Sequence, residues 1–273
     1  MKKTLPWLLV NGGLLLLAVV TVTPLVWMVS ASLMPTGEAN SEQPRFFPSE
    51  VTWIHYQDLF TRLDLGRHFV NSLLVASAIT LLSLLLNSMA GYAFAKLRFP
   101  GRDRLFAFLL GAMIIPAQVS MLPLFLLMKY LGLVNTWWGV ILPSMATILG
   151  IFLIRQYALS IPGELLDAAR IDGASEFRIY RTIVLPLLRP VLVTLAVFTF
   201  LSAWNDFMWP LIILSDDSRY TLPVALANLS GEHILDTELM MAGAVLTVLP
   251  VIVMFLVLQR QYIAGITMGG VKE

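Results

Sequence analysis

Apolar stretches of about twenty residues recur along the whole chain, and this pattern limits the fold more than any other feature. A membrane-spanning α-helix needs about 20 such residues, because the hydrocarbon core of a bilayer is about 30 Å thick. Overall, 58% of the residues are hydrophobic and only 13% are charged, a composition typical of integral membrane proteins. We therefore predict an all-α polytopic membrane protein, a single bundle of six transmembrane helices. The predicted helices cover residues 7–28, 69–94, 105–128, 137–154, 191–214 and 239–258.

Charge and composition exclude several other classes of protein. The formal net charge of +1 argues against nucleic-acid binding. No cysteine is present, so disulfides, thiolate nucleophiles and cysteine-based zinc sites are excluded together. His55, His68 and His233 are scattered without metal-ligand spacing, and we interpret them as ordinary surface or interfacial histidines.

Sequence motifs of catalysis are missing as well. The nearest imitation of the nucleotide-binding pattern Gly-x-x-x-x-Gly-Lys-[Ser/Thr] is Gly265 with Gly270, and it is followed by Val271 and Lys272 at the chain end. Neither Gly-x-Ser-x-Gly nor His-Glu-x-x-His occurs. We therefore expect a protein that is not an enzyme and binds no cofactor or metal ion itself. Any ATP hydrolysis must be supplied by another polypeptide.

The first apolar run follows Lys2 and Lys3 and permits two interpretations. It is longer than the roughly 7–15 residues of a signal-peptide core, which favours a retained transmembrane helix. A cleaved signal peptide is the alternative, and Val29-Ser30-Ala31 resembles a small-residue cleavage site. We predict that residues 1–34 form an N-terminal transmembrane helix.

Residues 35–67 are polar and are predicted to form an extramembrane loop. Aromatic and apolar residues at helical spacing predict one short amphipathic helix in it, built on Trp53, Tyr56, Leu59 and Phe60. In the third apolar run, Pro116 and Pro123 are expected to break the helix, because proline removes a backbone donor and clashes with the preceding turn.

The distribution of Lys and Arg predicts the orientation, because loops on the cytoplasmic side carry an excess of both. With the N-terminus inside, thirteen of the 18 Lys and Arg fall on the cytoplasmic side. Both termini are then cytoplasmic, residues 35–67 are extracytoplasmic, and residues 263–273 form a cytoplasmic tail. Residues 68–262 form the main transmembrane domain, which contains a cytoplasmic loop at residues 160–190.

That polar loop, residues 160–190, separates two apolar runs and predicts a short helix from about residue 163 to 172. Ser160 or Gly163 can cap its start, acidic side chains lie in its first turn, and Gly173 is expected to end it. The helix is too short to span a membrane and carries a small apolar face with both signs of charge. We expect it to contact a partner protein, with packing on its own chain as the alternative.

The same loop carries a recognisable pattern: an acidic residue, two alanines, a glycine after three residues, and Ile-x-Leu-Pro nine residues later. The matching residues are Asp167, Ala168, Ala169, Gly173, Ile183, Leu185 and Pro186. This pattern resembles the EAA loop of the inner-membrane permease subunits of bacterial ABC importers, and the run from Ala168 to Ala174 is similar to the sugar-importer branch. Asp167 stands where that family usually has Glu. The resemblance implies that Glu164, Asp167, Ala168, Ala169, Asp172, Gly173, Ile183, Leu185 and Pro186 couple the chain to a separate ATPase.

Further segments resemble the same carbohydrate permease family, in order, from Asn71 onward. They are Ala90-Gly91-Tyr92-Ala93-Phe94-Ala95, Ile114-Ile115-Pro116, Leu131-Gly132-Leu133-Val134-Asn135-Thr136, Trp204-Asn205-Asp206 and Gly265-Ile266-Thr267-Met268-Gly269-Gly270-Val271-Lys272. The resemblance implies the type 1 ABC importer fold and a location in the bacterial inner membrane. It also implies an importer with two permease subunits, an ABC ATPase dimer that binds ATP and Mg²⁺, and an extracytoplasmic sugar-binding protein.

Asp206 is an acidic residue within an apolar run, which makes it a candidate functional carboxylate of the pathway, with Trp204 and Asn205 beside it. A structural role is the alternative, in which these residues hold a helix bend ahead of Pro210 through hydrogen bonds across the bundle. In maltose-type importers the sugar contacts come largely from the partner permease, which argues against a sugar site defined by this subunit. A secondary transporter that carries a proton or cation on Asp206 is the second candidate function, although no internal duplication is visible.

Overall fold

The computed structural model describes residues 4–41, 45–232 and 236–270, and every regular element within these ranges is a helix. The α-helices are Thr4–Ala31 (α1), Ile54–Thr61 (α2), Leu65–Lys96 (α3), Arg102–Ala112 (α4), Met121–Tyr130 (α5), Trp137–Ser144 (α6), Ile148–Leu159 (α7), Gly163–Ile171 (α8), Glu176–Ile179 (α9), Leu185–Leu187 (α10), Arg189–Trp204 (α11), Met208–Ile213 (α12), Leu222–Glu232 (α13) and Thr237–Gly270 (α14). Short 3₁₀-helices occur at Ala117–Ser120 and Asp217–Arg219, and a π-helix occurs at Tyr180–Val184.

Among the described residues, four helical segments are long and apolar enough to cross a membrane: Leu9–Ala31, Leu65–Lys96, Trp137–Leu159 and Thr237–Val257. Two further pairs of helices pass the same test together but are bent at a short break. The bend is 98° between α4 and the segment that ends with α5, and 78° between the α9–α10 segment and α11. Counting each bent pair as one span gives the predicted total of six.

The break within the third span lies at Pro116, as predicted, but Pro123 does not contribute to it. Pro123 lies in the first turn of α5, where backbone N–H groups have no partner within the helix in any case. The missing donor therefore costs little there, and the prediction of a break at Pro123 is wrong.

The chain divides into two compact units. The first comprises residues 1–66 and 225–251, and the second comprises residues 67–224 and 252–273. The predicted short helix of the extramembrane loop is present in the first unit as α2, which buries His55 and Leu59.

The interpretation of the histidines as surface residues is wrong for the two that the structure describes, while an interfacial position stays a prediction. His55 is 1% exposed, and its Nε2 lies 2.9 Å from the carbonyl oxygen of Met34. His68 is 2% exposed, and its Nδ1 lies 3.3 Å from the carbonyl oxygen of Tyr220. His233 lies outside the described residues. The carbonyl gives one ring nitrogen of each histidine a hydrogen-bond partner, which offsets the cost of burying the polar ring.

In the second unit, a core forms where α3 and α7 meet the segment from α8 to α11. Its buried residues include Tyr92, Ile154, Leu166, Ile179, Val184 and Leu188. Gly91 lets α3 approach α7 closely, since a Cβ at that position would lie 2.5 Å from Ile154 Cγ2. A second core unites α3, α5, α6 and α12, and it contains Val75, Ile79, Met128, Val140, Trp209 and Ile213.

The last helix, α14, continues through residues 263–270, which the sequence predicted as the start of a C-terminal tail. The basic residue of that tail, Lys272, and the N-terminal Lys2 and Lys3 lie outside the described residues.

Candidate functional site

The predicted short helix of the polar loop is present as α8, and its start differs in detail from the prediction. Pro162 is the N-cap, with φ −57° and ψ 131°, and Gly163 is the first helical residue. The Ser160 hydroxyl instead donates to the carbonyl of Tyr157 at 2.7 Å, at the end of α7. The predicted cap at Ser160 or Gly163 is therefore wrong. Glu164 lies in the first turn, where its charge suits the positive end of the helix dipole.

The end of α8 confirms the prediction for Gly173. This residue has φ +79°, in the left-handed region that glycine adopts at little cost. Its N–H donates to the carbonyl of Arg170 at 3.0 Å, and the N–H of Ala174 donates to that of Ala169 at 3.0 Å. These two bonds form a Schellman motif, which satisfies carbonyls at the helix end.

The two faces of α8 have different surroundings. Leu166 is buried in the core of the second unit, and Ala169 packs against that core. Ile171 is 86% exposed, and Phe177, just beyond the helix, is 63% exposed. Ala168 is exposed as well, as are Glu164 and Asp172. The helix thus rests on its own chain by one face and presents apolar and charged residues on the other, which is typical of a protein contact surface.

A network of charged side chains joins α8 to the segment that follows it. Arg170 Nη1 donates to Asp167 Oδ1 at 2.6 Å, and Arg170 Nε donates to Glu176 Oε1 at 2.7 Å. The Tyr92 hydroxyl on α3 donates to Glu176 Oε2 at 2.9 Å. The hydrogen bond from Arg170 to Glu176 raises the pKa of the Arg170 guanidinium further above its usual value, so this residue stays charged. The network ties the loop to a predicted membrane-spanning helix.

The second half of the sequence pattern lies in an unusual stretch of helix. The π-helix Tyr180–Val184 contains Ile183 and leads directly into α10, which contains Leu185 and Pro186. Ile183 and Leu185 pack against the core of the second unit, whereas Pro186 is exposed. Pro186 has no backbone N–H to donate to the carbonyl four residues earlier. Short π-helical turns are frequent at functional sites. The hydroxyls of Tyr180 and Ser88 lie 2.6 Å apart, which fixes this stretch to α3.

The structure places Trp204, Asn205 and Asp206 where α11 ends and α12 begins. Trp204 is buried against Phe200, with ring centroids 5.9 Å apart. Asn205 Nδ2 donates to the carbonyl of Leu201 at 2.8 Å. Asp206 Oδ1 accepts a hydrogen bond from the N–H of Trp209 at 3.4 Å. Both hydrogen bonds are local to the junction of α11 and α12 and neither crosses the bundle, so the structural and the functional role of Asp206 both stay predictions.

Sequence reasoning missed a polar contact at the interruption between α6 and α7. Asn87 on α3 is 0% exposed, and its Oδ1 accepts a hydrogen bond from the N–H of Thr147 at 3.1 Å. Thr147 is the N-cap of α7, and its Oγ1 accepts from the N–H of Gly150 at 3.1 Å. Asn87 Nδ2 donates to Ser83 Oγ at 2.7 Å. An asparagine inside an apolar run was the available signal, because such residues face the bundle interior.

Residues 84–267, more than half of the chain, match the family described as binding-protein-dependent transport system inner membrane component. The chain belongs to this family. The permease is accordingly a transport subunit and not an enzyme, and it is a multi-pass protein of the inner membrane.

Several relatives match the permease over almost its full length. The arabinooligosaccharides transport system permease protein AraQ of Halalkalibacterium halodurans is 42% identical over 277 residues, with 99% of each chain covered. The protein of the same name from Bacillus subtilis is 36% identical, with 94% of this chain and 93% of the relative covered. The trehalose transport system permease protein SugB of Mycobacterium tuberculosis is 35% identical, with 91% and 92% covered.

A solved structure shows the same fold. A chain in the crystal structure of a bacterial ABC transporter involved in the import of the acidic polysaccharide alginate matches the permease with a TM-score of 0.82 and 24% identity. The match covers 95% of the permease and 98% of that chain. The permease therefore has the predicted all-α fold of an ABC importer permease.

Proposed function

We propose that the permease forms half of the translocation pathway of an ATP-driven, binding-protein-dependent sugar importer. The observation that carries this proposal is α8, which ends in a Schellman motif and exposes an apolar and charged face outside the predicted spans. A rigid helix of this kind can transmit the movement of a partner to the helices on which it rests.

The substrate class is a short saccharide. Relatives are named for the transport of arabinooligosaccharides, of trehalose and of melibiose, raffinose and stachyose. Another relative, from Rhizobium radiobacter, is named for lactose transport and is 31% identical over 272 residues. Because these names share short saccharides but differ in the sugar, we propose the class and not one member of it.

Three protein partners follow from this function. A second, homologous permease completes the pathway, an ABC ATPase dimer binds ATP and Mg²⁺, and an extracytoplasmic sugar-binding protein delivers the substrate. Membrane lipid surrounds the helices, and no nucleic acid takes part. The excess of Lys and Arg on one side supports cytoplasmic termini and a cytoplasmic 160–190 loop, where ATP is available.

The ATPase contact is proposed for the exposed face of α8 and the residues after it. Ile171 and Phe177 offer apolar area, and exposed Ala168 permits close approach of a partner backbone. Asp167 is held by Arg170 within the loop, and a carboxylate has further acceptor capacity for a partner donor. The charged network makes this surface stiff, which reduces the entropy that docking has to overcome.

Copurification and transport measurements test the proposal together. A tagged permease, expressed with its neighbouring genes, is purified in mild detergent, its partners are identified by mass spectrometry, and the complex is reconstituted in proteoliposomes. We expect a second permease and an ATPase in the complex, and sugar uptake that requires ATP and is unaffected by protonophores and sodium ionophores. Purification as an active monomer or homo-oligomer, with uptake driven by an ion gradient and indifferent to ATP, would establish the secondary transporter instead.

A further inference from the structure

The short connection between α3 and α4 carries a cluster of arginines to which the proposed function gives no role. A cavity of about 550 Å³ lies at this connection, and its lining consists of Arg98, Phe99, Gly101, Arg102, Asp103 and Arg104. Three guanidinium groups face one carboxylate there, so the lining is positive on balance. The cavity is therefore suited to an anion.

The three arginines differ in how far the chain already compensates their charge. Arg102 Nε donates to Asp103 Oδ1 at 3.0 Å, and Arg102 Nη1 donates to the carbonyl of Leu97 at 3.2 Å. Arg98 and Arg104 are exposed, and neither makes an ion pair within the part of the chain that the structure describes. Two guanidinium groups are thus available to a ligand, and the planar fork of each matches the oxygens of a phosphate group.

The connection is held in a fixed conformation by both flanking helices. Gly101 has φ +81°, in the left-handed region, and its carbonyl accepts from the N–H of Leu105 at 2.8 Å in the first turn of α4. The Phe99 ring packs against Phe94 of α3 with ring centroids 5.8 Å apart, and Phe94 packs against Phe106 of α4 at 5.4 Å. The arginines are thus positioned before a ligand arrives, which lowers the entropic cost of binding.

An exposed apolar surface begins directly beside the cavity. Phe108 follows Arg104 by one helical turn on the same face of α4 and is 72% exposed, and Leu105 is exposed as well. This helix belongs to one of the bent pairs that together are long and apolar enough to cross a membrane. A ligand that fits both surfaces has an anionic head and apolar tails, and an anionic phospholipid has both.

The cavity lies at the same end of the bundle as the 160–190 loop. Lys96, the last residue of α3, donates through Nζ to the carbonyls of Leu159 and Ile161 at 3.2 and 2.6 Å. These bonds tie the end of α3 to the end of α7, where the loop begins. The arginines therefore lie beside the end of a span, where basic residues meet the headgroups of anionic lipids.

We propose that the cavity between α3 and α4 binds the phosphate headgroup of one anionic phospholipid, such as phosphatidylglycerol. Arg98 and Arg104 bind the phosphate oxygens, and an acyl chain lies along Leu105 and Phe108. Phosphatidylcholine carries the same phosphate, but its amine cancels the charge, so the site selects the anionic lipid. This inference requires only a multi-pass membrane protein, which the family shows, and it is independent of the transported substrate.

The test measures lipid binding by native mass spectrometry on the permease in the complex in which it is purified. Phosphatidylglycerol and phosphatidylcholine with the same acyl chains are titrated separately, and inorganic phosphate is added as a soluble competitor. Arg98→Gln with Arg104→Gln removes both charges, and Arg98→Lys with Arg104→Lys retains them. Arg181→Gln with Arg189→Gln is the matched control, because both residues are exposed, lie in the 160–190 loop and do not line the cavity.

We expect a single phosphatidylglycerol to bind each permease more tightly than phosphatidylcholine does. The glutamine pair at residues 98 and 104 should raise the apparent dissociation constant for phosphatidylglycerol by about tenfold or more, since two charges at the headgroup are lost. The lysine pair and the control pair should retain most of the binding, and inorganic phosphate should not displace the lipid.

Several results would overturn the inference. Unchanged phosphatidylglycerol binding in the glutamine pair at residues 98 and 104 would show that the cavity does not hold the lipid. An equal loss in the control pair would indicate a diffuse attraction to the whole basic side, and an equal loss in the lysine pair would show that charge is not what binds. Displacement by inorganic phosphate would indicate a site for a soluble anion. Loss of a copurifying protein from the glutamine pair, with lipid binding unchanged, would assign the cavity to a protein contact.

Discussion

At the scale of single residues, Asn87 is the side chain that supports the interruption of the fourth predicted span. Replacing it by alanine removes the acceptor of the part-buried Thr147 N–H and leaves a gap where the buried amide lay, which should cost about 1–3 kcal/mol. We expect Asn87→Ala to melt at a lower temperature in detergent, as followed by tryptophan fluorescence. Thr80→Val is the matched control on the same helix, since the Thr80 hydroxyl bonds only to the Ala76 carbonyl of its own helix. Equal melting temperatures for the two variants would show that the Asn87 contact is dispensable.

The residue types along the chain predicted local backbone features but not the contacts between segments that are distant in sequence. The left-handed turn at Gly173 was predictable, because the demand for glycine is local to the backbone. The pairing of Arg170 with Glu176 was not, because it depends on how the chain turns back after α8. The burial of His55 and His68 was equally hidden, since burial is decided by elements distant in sequence.

At the scale of helices, the approach of α3 to α7 depends on Gly91. A Cβ there would meet Ile154 Cγ2 at 2.5 Å and Ile154 Cβ at 2.6 Å, so Gly91→Ala should push the helices apart and cost about 1–3 kcal/mol. Gly111→Ala on α4 is the control, because a Cβ there meets nothing within 4 Å. We expect a lower melting temperature and reduced uptake for Gly91→Ala only. A Gly91→Ala protein as stable and active as Gly111→Ala would contradict the close packing described.

Hydrophobic runs predicted where the helices lie but not all of their interruptions. The breaks at residues 145–147 and 205–207 fall inside stretches that are apolar on both sides, so the length of the run conceals them. Pro116 signalled a real break, whereas Pro123 did not, because the effect of a proline depends on its position within the helix. The pair Asn205 and Asp206 was the sequence signal at the second break.

At the scale of the whole molecule, composition and run length predicted the class of protein and the number of spans, with two of the six bent. The family resemblance predicted the fold that the solved structure shares. The predicted domain boundaries at residues 34, 67 and 262 stay predictions, as does the role of each coupling residue. Partners and energy source lie beyond a single chain, because they depend on surfaces of other proteins.

The central claim is that the 160–190 loop attaches an ATPase and couples it to sugar uptake, and substitutions at its glycine turn test this claim directly. Gly173→Pro cannot adopt φ +79° and also removes the N–H that donates to Arg170. Gly132→Pro is a matched control outside the loop, since Gly132 follows α5 with φ +69° and donates to Lys129 at 3.1 Å. Ala169→Asp, which places a charge against the core, should resemble Gly173→Pro, while Asp167→Glu should be nearly silent.

The decisive measurement is the amount of ATPase that copurifies with each tagged permease variant at matched membrane abundance, together with sugar uptake. We predict that Gly173→Pro and Ala169→Asp lose about tenfold or more of the attached ATPase, equivalent to about 1.4 kcal/mol, and lose uptake with it. Gly132→Pro and Asp167→Glu should retain the ATPase. Normal ATPase attachment and uptake in both Gly173→Pro and Ala169→Asp would show that this loop is not the coupling element.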